Sequence, residues 1–372
     1  MVLAIFTLVE HIEKEGKYFG YAPYVREMNL WTSTFEEVIV VAPRSEHKTL
    51  DKICMAYAHE NVKFVKMPVF QIKSLVSIIT LLIKIPKILF IMAKVMYRAD
   101  HLHFRSPSNI AGIAALVQLF FPFKKKTMRY TGNWDPKSRQ PIGYRFQKYL
   151  FSAPFFSKNI VAMVYGNWPK QSKNVRSFFT ATYSENEKES FFKRDYKNSL
   201  KFIFTGALVE GKQPLFAIQI IERLKEFGND CTLDIFGDGI LRSSVEIYIE
   251  RKGLGNIITL HGNQDKETIK STLRKSHFII LPSKSEGWPK AIAEGMFFGV
   301  IPISTYVSCL DWMLGSGSRG ILIELDINSA TEKIIGVLQN RNLHEMAKFA
   351  QDWSQQYTLE TLENEINNVL QL

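Results

Sequence analysis

Cysteine is nearly absent from this chain, with three in 372 residues at Cys54, Cys231 and Cys309. Their wide scatter offers neither a disulfide framework nor a thiolate metal site, and it fits a reducing compartment. The eight histidines are equally dispersed, so no metal site is expected. The amino terminus, MVLAIFTLVEH, lacks a basic leader and a small-residue cleavage site. It is expected to form a first strand rather than a signal peptide. The closest approach to a membrane-spanning helix, residues 74–100, is interrupted by Lys84, Lys87 and Lys94. A basic, apolar stretch of that kind fits a helix lying on a membrane better than one crossing it.

Acidic residues are scarce in the first half. Residues 1–195 hold 29 lysines and arginines against 15 aspartates and glutamates, and the remainder holds 18 against 21. The excess calls for an anionic partner: a membrane surface, a phosphorylated substrate or a nucleic acid. No nucleic-acid-binding module accompanies it, so no nucleic-acid partner is expected. Lys84, Lys87, Lys94 and Arg98 share one helical face, with Leu, Ile, Phe and Met around it. They are the membrane-facing candidates, the alternative being a core-packing helix pair with a solvated basic edge, and Pro86 is expected to split the stretch into two helices.

What the chain does have is 46% hydrophobic residues, enough for two cores at this length. Short β-rich runs such as VLAIFTL, EVIVVAP, HLHFRS and NIVAMVYG alternate with helical stretches, which predicts a parallel sheet covered by helices. The pattern fades in the polar segment 180–199, read as the connection between domains, and a second alternating series begins at KFIFTGALV. The expected fold class is therefore α/β, with two tandem doubly wound domains facing a cleft. Their expected bounds are 1–195, joined by a returning C-terminal helix over 355–372, and 196–354. Ligands are expected at the carboxyl ends of the strands.

Glu286 and Glu294 stand eight residues apart in SKSEGWPKAIAEGMFFGVIPIST, between two β-runs. The turn carries Glu286 to the strand ends. Pro289 suits a first helical turn, and amides at Trp288, Lys290 and Ala291 would form a helix N-terminus suited to an anion. Glu294 lies one turn after Lys290, on the same face. Phosphate donors flanked by two hydroxyl acceptors match a nucleoside-diphosphate sugar. The bland alternative is two solvated helix residues.

This segment resembles the Glu-x7-Glu signature of retaining glycosyltransferases of the GT-B fold, family 4. IFTGALVEGKQPLFAIQII is similar to that family's phosphate loop, and LDIFGDGILRSSVE, ITLHGNQ and GILIELD to its later strand ends. The likeness covers about 150 residues, essentially the second domain. It implies that Glu294 binds the ribose, Glu286 the donor sugar and Lys212 the diphosphate. Gly206 would admit the phosphates, Gly237 and Gly239 the nucleoside, with Asp238, Gly287, Trp288 and Lys290 beside them. It further implies a UDP- or GDP-sugar donor, retention of configuration and hexosyl transfer without a metal or other cofactor.

There are departures. Ala207 stands where the family has an arginine, which removes one cation from the leaving group. The tight Gly-Gly loop after the first strand is replaced by EHIEKEGKYFGYAPYVREMN, in which Gly16 and Gly20 are the candidate substitutes. Asn133 and Asp135, in RYTGNWDPKSRQ, stand where the family presents a histidine; they are sugar and acceptor candidates, or ordinary turn residues. Arg105 is an acceptor-side candidate. The acceptor implied is a glycan or a polyprenyl-diphosphate-linked glycan of a cell-surface polysaccharide, reached from the cytoplasmic face of an anionic membrane. A sugar-nucleotide epimerase and a non-catalytic glycosyltransferase-like scaffold are the alternatives.

Overall fold

A computed structural model describes residues 1–45, 54–68 and 75–371, with the backbone alone over 75–82. The chain divides into two units, Met1–Phe178 with Glu363–Leu372, and Phe179–Leu362.

In the first unit the elements are β1 (Val2–Phe6), β2 (Ile12–Lys14), β3 (Lys17–Tyr21), α1 (Ala22–Thr32), β4 (Glu37–Ala42), β5 (Cys54–Ala56), β6 (Val62–Lys66), α2 (Leu75–Arg98), β7 (His101–Ser106), α3 (Asn109–Val117), β8 (Lys125–Tyr130), α4 (Ile142–Ser152), β9 (Ile160–Tyr165) and β10 (Val175–Phe178). Seven strands form a parallel sheet in the order β10-β9-β8-β7-β1-β4-β6. The central strands are apolar on both faces because helices cover both. Phe6, Val41, Phe104, Met128 and Val164 pack against Met92 and Met96 of α2, Ile110 and Ala114 of α3, and Phe151 of α4. Ser108 starts α3 by accepting from the Ala111 amide at 3.0 Å.

Two sequence expectations change here. Gly16 and Gly20 do not lie in an open loop: β2 and β3 form an antiparallel hairpin extended by β5. Gly16 is its turn residue, at φ 73°, a left-handed conformation that suits glycine. Gly20 lies against His11 and Val25, where an added Cβ would stand 3.2 Å from the valine. Nor does Pro86 split the helix, since α2 runs unbroken from Leu75 to Arg98. Pro86 is on its exposed side, where water can serve the carbonyl that proline leaves unpaired. Ser74, at the start of the candidate membrane stretch, lies outside the described residues.

The second unit contains β11 (Leu200–Thr205), α5 (Pro214–Glu226), β12 (Cys231–Phe236), α6 (Arg242–Arg251), β13 (Ile258–Gly262), α7 (Lys266–Lys275), β14 (Phe278–Leu281), α8 (Lys290–Phe297), β15 (Ile301–Thr305), α9 (Leu310–Met313), β16 (Ile321–Ile323), α10 (Ile327–Asn340) and α11 (Leu343–Ser354). The last helix, α12 (Leu359–Gln371), begins in this unit and continues into the first from Glu363. The sheet is again parallel, in the order β13-β12-β11-β14-β15-β16. The chain winds outward from β11 in one direction, then returns to β14 and winds in the other. The switch point therefore lies between β11 and β14, where an open α/β sheet leaves a crevice at its carboxyl edge.

The polar segment 180–199 is a strap on this unit rather than a free connection. Its charges have partners: Glu187 pairs with Lys266 and Lys270, and Glu189 with Arg274. Arg194 donates to the carbonyls of Phe298 and Gly299, at 2.6 and 2.8 Å. It thereby satisfies the carboxyl end of α8 and opposes the negative end of its dipole.

Burial holds His11, His101 and His277 neutral, with pKa values lowered to about 4. In the unfolded chain each titrates near 6.5. Between these values the unfolded state binds more protons, so stability is full above pH 6.5 and falls as pH drops toward 4. The melting temperature, followed by scanning fluorimetry, is expected to decline steadily through that window. A flat profile from pH 7 to 4.5 contradicts the buried neutral histidines.

Candidate active site

The loops after β11 and β14 flank the switch point, and three contacts bind them together. The Lys284 amide donates to the Gly211 carbonyl at 2.9 Å, and Lys284 Nζ meets Glu210 at 2.6 Å. Lys212 Nζ meets Glu286 Oε1 at 2.5 Å. The Glu286 side chain is 6% exposed and that of Lys212 29%. The structure thus brings two of the predicted residues into one ion pair. Between the same loops, the hydroxyls of Thr205 and Ser283 are buried without a hydrogen-bonding partner. Such hydroxyls are available to a hydrogen-bonding partner, water included.

Helix α8 rises from the second loop. Pro289 is its N-cap residue, one position earlier than the expected first turn, and no side chain caps that end. Its seat is set by Gly295, where a Cβ would come within 2.6 Å of Ile279 on β14. Gly287 is held by Ser308, whose hydroxyl donates to its carbonyl at 2.9 Å. Trp288 is buried among Trp312, Trp353, Tyr357 and Phe179, with ring centroids 5.8–6.5 Å away. It therefore anchors the loop. Glu294 is half-buried, accepts from the Thr182 hydroxyl at 2.8 Å, and shares a small crevice with Lys290, Tyr183 and Tyr357. Burial, followed by the charges of Glu294 and Glu187, pushes the Tyr183 phenol far up, so it stays protonated.

The glycines have different physical reasons. Gly237, at φ 134°, has its backbone against Gly206, and any Cβ there would run into the Gly206 carbonyl. At Gly239 a Cβ would stand 2.6 Å from the Leu208 carbonyl oxygen. These two glycines let the strand-end loops touch backbone to backbone, through Gly206 N to Phe236 O and Leu208 N to Asp238 O. At Gly206 an added Cβ would meet nothing closer than 3.7 Å, so packing does not require glycine. Asp238 is ion-paired with Arg242 at 3.2 Å and accepts from the Gly239 amide.

The first-unit candidates are committed elsewhere. Asn133 accepts from the Asp135 amide at 2.9 Å, and Asp135 from the Lys137 amide at 2.8 Å, so both side chains serve their own turn. Arg105 is buried in an ion pair with Glu27 at 2.6 Å and lies over the Tyr24 ring. Arg129 shares that carboxylate at 3.4 Å. Lys84, Lys87 and Lys94 are exposed on α2, whereas Arg98 pairs with Glu37 at 2.7 Å. Sequence reading missed Thr182, Ser308, Gly295 and Arg194. The 112 residues between Thr182 and Glu294 leave no local spacing that could reveal their contact. Gly295 had a signal, a glycine inside a helical run beside a buried strand.

Two measurements test this geometry. Gly237→Ala combines a left-handed φ with a backbone clash and is expected to destabilise the unit by roughly 3 kcal/mol in urea unfolding; wild-type stability contradicts the close approach. Lys212→Met leaves Glu286 buried and unpaired, at an expected loss of about 1–3 kcal/mol. Adding Glu286→Gln to that variant is expected to restore part of the loss, and purely additive effects mean the pair is not coupled.

Comparison with known proteins bears on the family and the fold. Residues 185–354 match the family described as glycosyl transferases group 1. An uncharacterized glycosyltransferase of Methanocaldococcus jannaschii is 27% identical over 191 residues, covering 50% of this chain and 52% of that protein. The Escherichia coli UDP-Gal:alpha-D-GlcNAc-diphosphoundecaprenol alpha-1,3-galactosyltransferase is 29% identical over 156 residues, covering 41% and 40%. The chain thus spans about half the length, or less, of these curated relatives. Among solved structures, Anabaena HepE in complex with UDP and glucose superposes with a TM-score of 0.66 at 13% identity, over 100% of this chain and 99% of that one. Its identity is low enough that the likeness speaks for the fold alone. Residues 185–354 are thus similar to the group 1 glycosyltransferases, and the two parallel-sheet units have the GT-B fold.

Proposed function

We propose that the chain transfers a hexosyl group from a UDP- or GDP-sugar to a glycan or a polyprenyl-diphosphate-linked glycan, with retention and without a metal, in cell-surface polysaccharide synthesis. The carrying observation is the set of groups at the β11–β14 switch point: Gly206, which packing does not require, the Lys212–Glu286 pair, two orphaned hydroxyls and the N-terminus of α8. A diphosphate there meets a lysine and helix amides, which neutralise the charge that develops as it leaves. Glu286 is assigned to the sugar hydroxyls and Glu294, released from Thr182, to the ribose diol. The bond from the anomeric carbon to the diphosphate breaks and a bond to the acceptor oxygen forms on the same face. The acceptor's proton passes to the departing phosphate. The relative acting on a diphosphoundecaprenol substrate supports a lipid-linked acceptor. The exposed Lys84, Lys87 and Lys94 support peripheral work on the inner face of an anionic plasma membrane.

One observation favours a non-catalytic scaffold: Ala207 is exposed where the family has arginine. Release of nucleoside diphosphate from a UDP- or GDP-sugar separates the two readings, since a scaffold binds without turnover.

Screening UDP, GDP and their sugars by thermal shift is expected to show one base stabilising the protein by about 2.7 kcal/mol at a hundred times its dissociation constant. Glu294→Ala is expected to weaken that binding by roughly 1–3 kcal/mol. Gly206→Ala is expected to keep the wild-type melting temperature while losing nucleotide affinity. If Gly206→Ala and Glu294→Ala both bind the nucleotide like wild type, the donor site lies elsewhere.

A further inference from the structure

The outer face of the first unit breaks the rule that a helix covering a sheet has one apolar stripe. Helix α3 packs between α2 and α4 on one face of the seven-stranded sheet. Each of the three already buries an apolar stripe: Met92 and Met96 on α2, Ile110 and Ala114 on α3, Leu150 and Phe151 on α4. The opposite sides, which should be polar, carry large apolar side chains instead. On α2, Ile83, Phe90 and Tyr97 follow each other at seven-residue steps and are 75%, 70% and 79% exposed. Lys87 and Lys94 fall between them at steps of four and three, on the same stripe. On α4, Ile142, Phe146 and Tyr149 form a second exposed stripe, with Arg145 beside it. Phe120 and Phe123, between α3 and β8, are almost fully exposed.

The charge around this layer is largely of one sign, with Glu37 paired to Arg98 at the end of α2. Residues 61–184 contain 20 lysines and arginines and only two acidic residues, Asp100 and Asp135. Neither lies on α2, α3 or α4. Asp100 accepts from the Val2 amide at 2.7 Å, and Asp135 is held in its turn. A surface that exposes aliphatic and aromatic side chains among cations, with no acid on α2, α3 or α4, matches a fluid surface of anionic headgroups over hydrocarbon. A protein interface of this extent would be depleted of lysine at its centre. A single-stranded nucleic acid would be read by stacking, which Ile83 and Ile142 cannot provide.

We propose that the outer layer α2–α3–α4 is one continuous docking surface for an anionic bilayer. In it the α2 lysines make the electrostatic contact, while Phe120, Phe123, Ile142 and Phe146 enter the acyl boundary. This rests on the membrane reading above and extends it from one helix to the whole layer. It places the apolar anchor on elements that no charge pattern in the sequence marks.

The test is sedimentation of the purified protein with phosphatidylglycerol vesicles and with phosphatidylcholine vesicles, at low and high salt. Wild type is expected to bind the anionic vesicles only, and more weakly at high salt. Phe120→Ser/Phe123→Ser and Ile142→Ser/Phe146→Ser are each expected to lower that affinity roughly tenfold or more, with melting temperature and nucleotide binding unchanged. Lys84→Gln/Lys87→Gln/Lys94→Gln is expected to abolish the salt dependence. If wild type binds and both serine pairs bind equally well, the extension to α4 and the α3–β8 segment is overturned while the α2 reading stands. If wild type ignores anionic vesicles, or binds single-stranded oligonucleotide more tightly, the membrane reading itself falls and the nucleotide-sugar assignment is untouched. Phe123→Trp gives a second readout independent of affinity. Its added fluorescence is expected to be quenched by brominated phosphatidylglycerol, and unquenched emission in the bound state overturns insertion at that position.

Discussion

The Lys212–Glu286 ion pair is the contact on which the candidate site depends. An open parallel sheet has a gap at its switch point because the two strands there send their chains in opposite directions. In the second unit those strands are β11 and β14, and their loops would be independent without a cross-link. The ion pair, backed by the Lys284 contacts to Glu210 and Gly211, makes the two loops one body. Glu286 is nearly buried, and a buried carboxylate without a partner is strongly unfavourable. The pair also balances its own charge, so in the proposed donor site a diphosphate would be drawn by the α8 N-terminus rather than by Lys212 alone.

Helix α8 is fixed at both ends and along its length by different forces. Ser308 holds the turn before it, Gly295 lets it lie on β14, and Arg194 closes its last carbonyls. The aromatic group around Trp288 adds a rigid anchor, and such rings reinforce one another beyond the area they bury. Each support comes from a different stretch of chain. The orientation of Glu286 and Glu294 is therefore a property of the whole second unit, not of the Glu-x7-Glu segment alone.

The alternating series of apolar runs made both parallel sheets legible, because buried parallel strands are continuous hydrophobic blocks. The hairpin β2–β3 and strand β5 were not legible. Their residues, such as IEK and KYFGY, are polar or mixed and mostly half-buried or exposed, and neither apolar period is strong in them. The position of Glu286 followed from the strand before it. The partner of Glu294 did not, since Thr182 lies in a segment whose polarity suggested a connection. That polarity reflects charges satisfied one by one on α7 and just past the end of α8. Asn133 and Asp135 are the opposite case. Their types are chemically versatile, but local hydrogen bonds use them in a turn, and local bonds compete first for such side chains.

The two units also differ in how they treat charge. In the second, acids and bases are matched at close range, as in Glu222 with Lys252 and Asp238 with Arg242. Such exposed pairs add little stability, but they leave no long-range field. In the first, basic residues far outnumber acids, and some of the acids are paired, as Glu37 is with Lys63 and Arg98. The uncompensated lysines fall on the same helices that expose Ile83, Phe90 and Tyr97. An unmatched field opposes self-association, whereas exposed apolar stripes promote it. A surface that carries both is stable in water because like copies repel, and it becomes strongly attractive only toward a partner that is anionic and apolar at once.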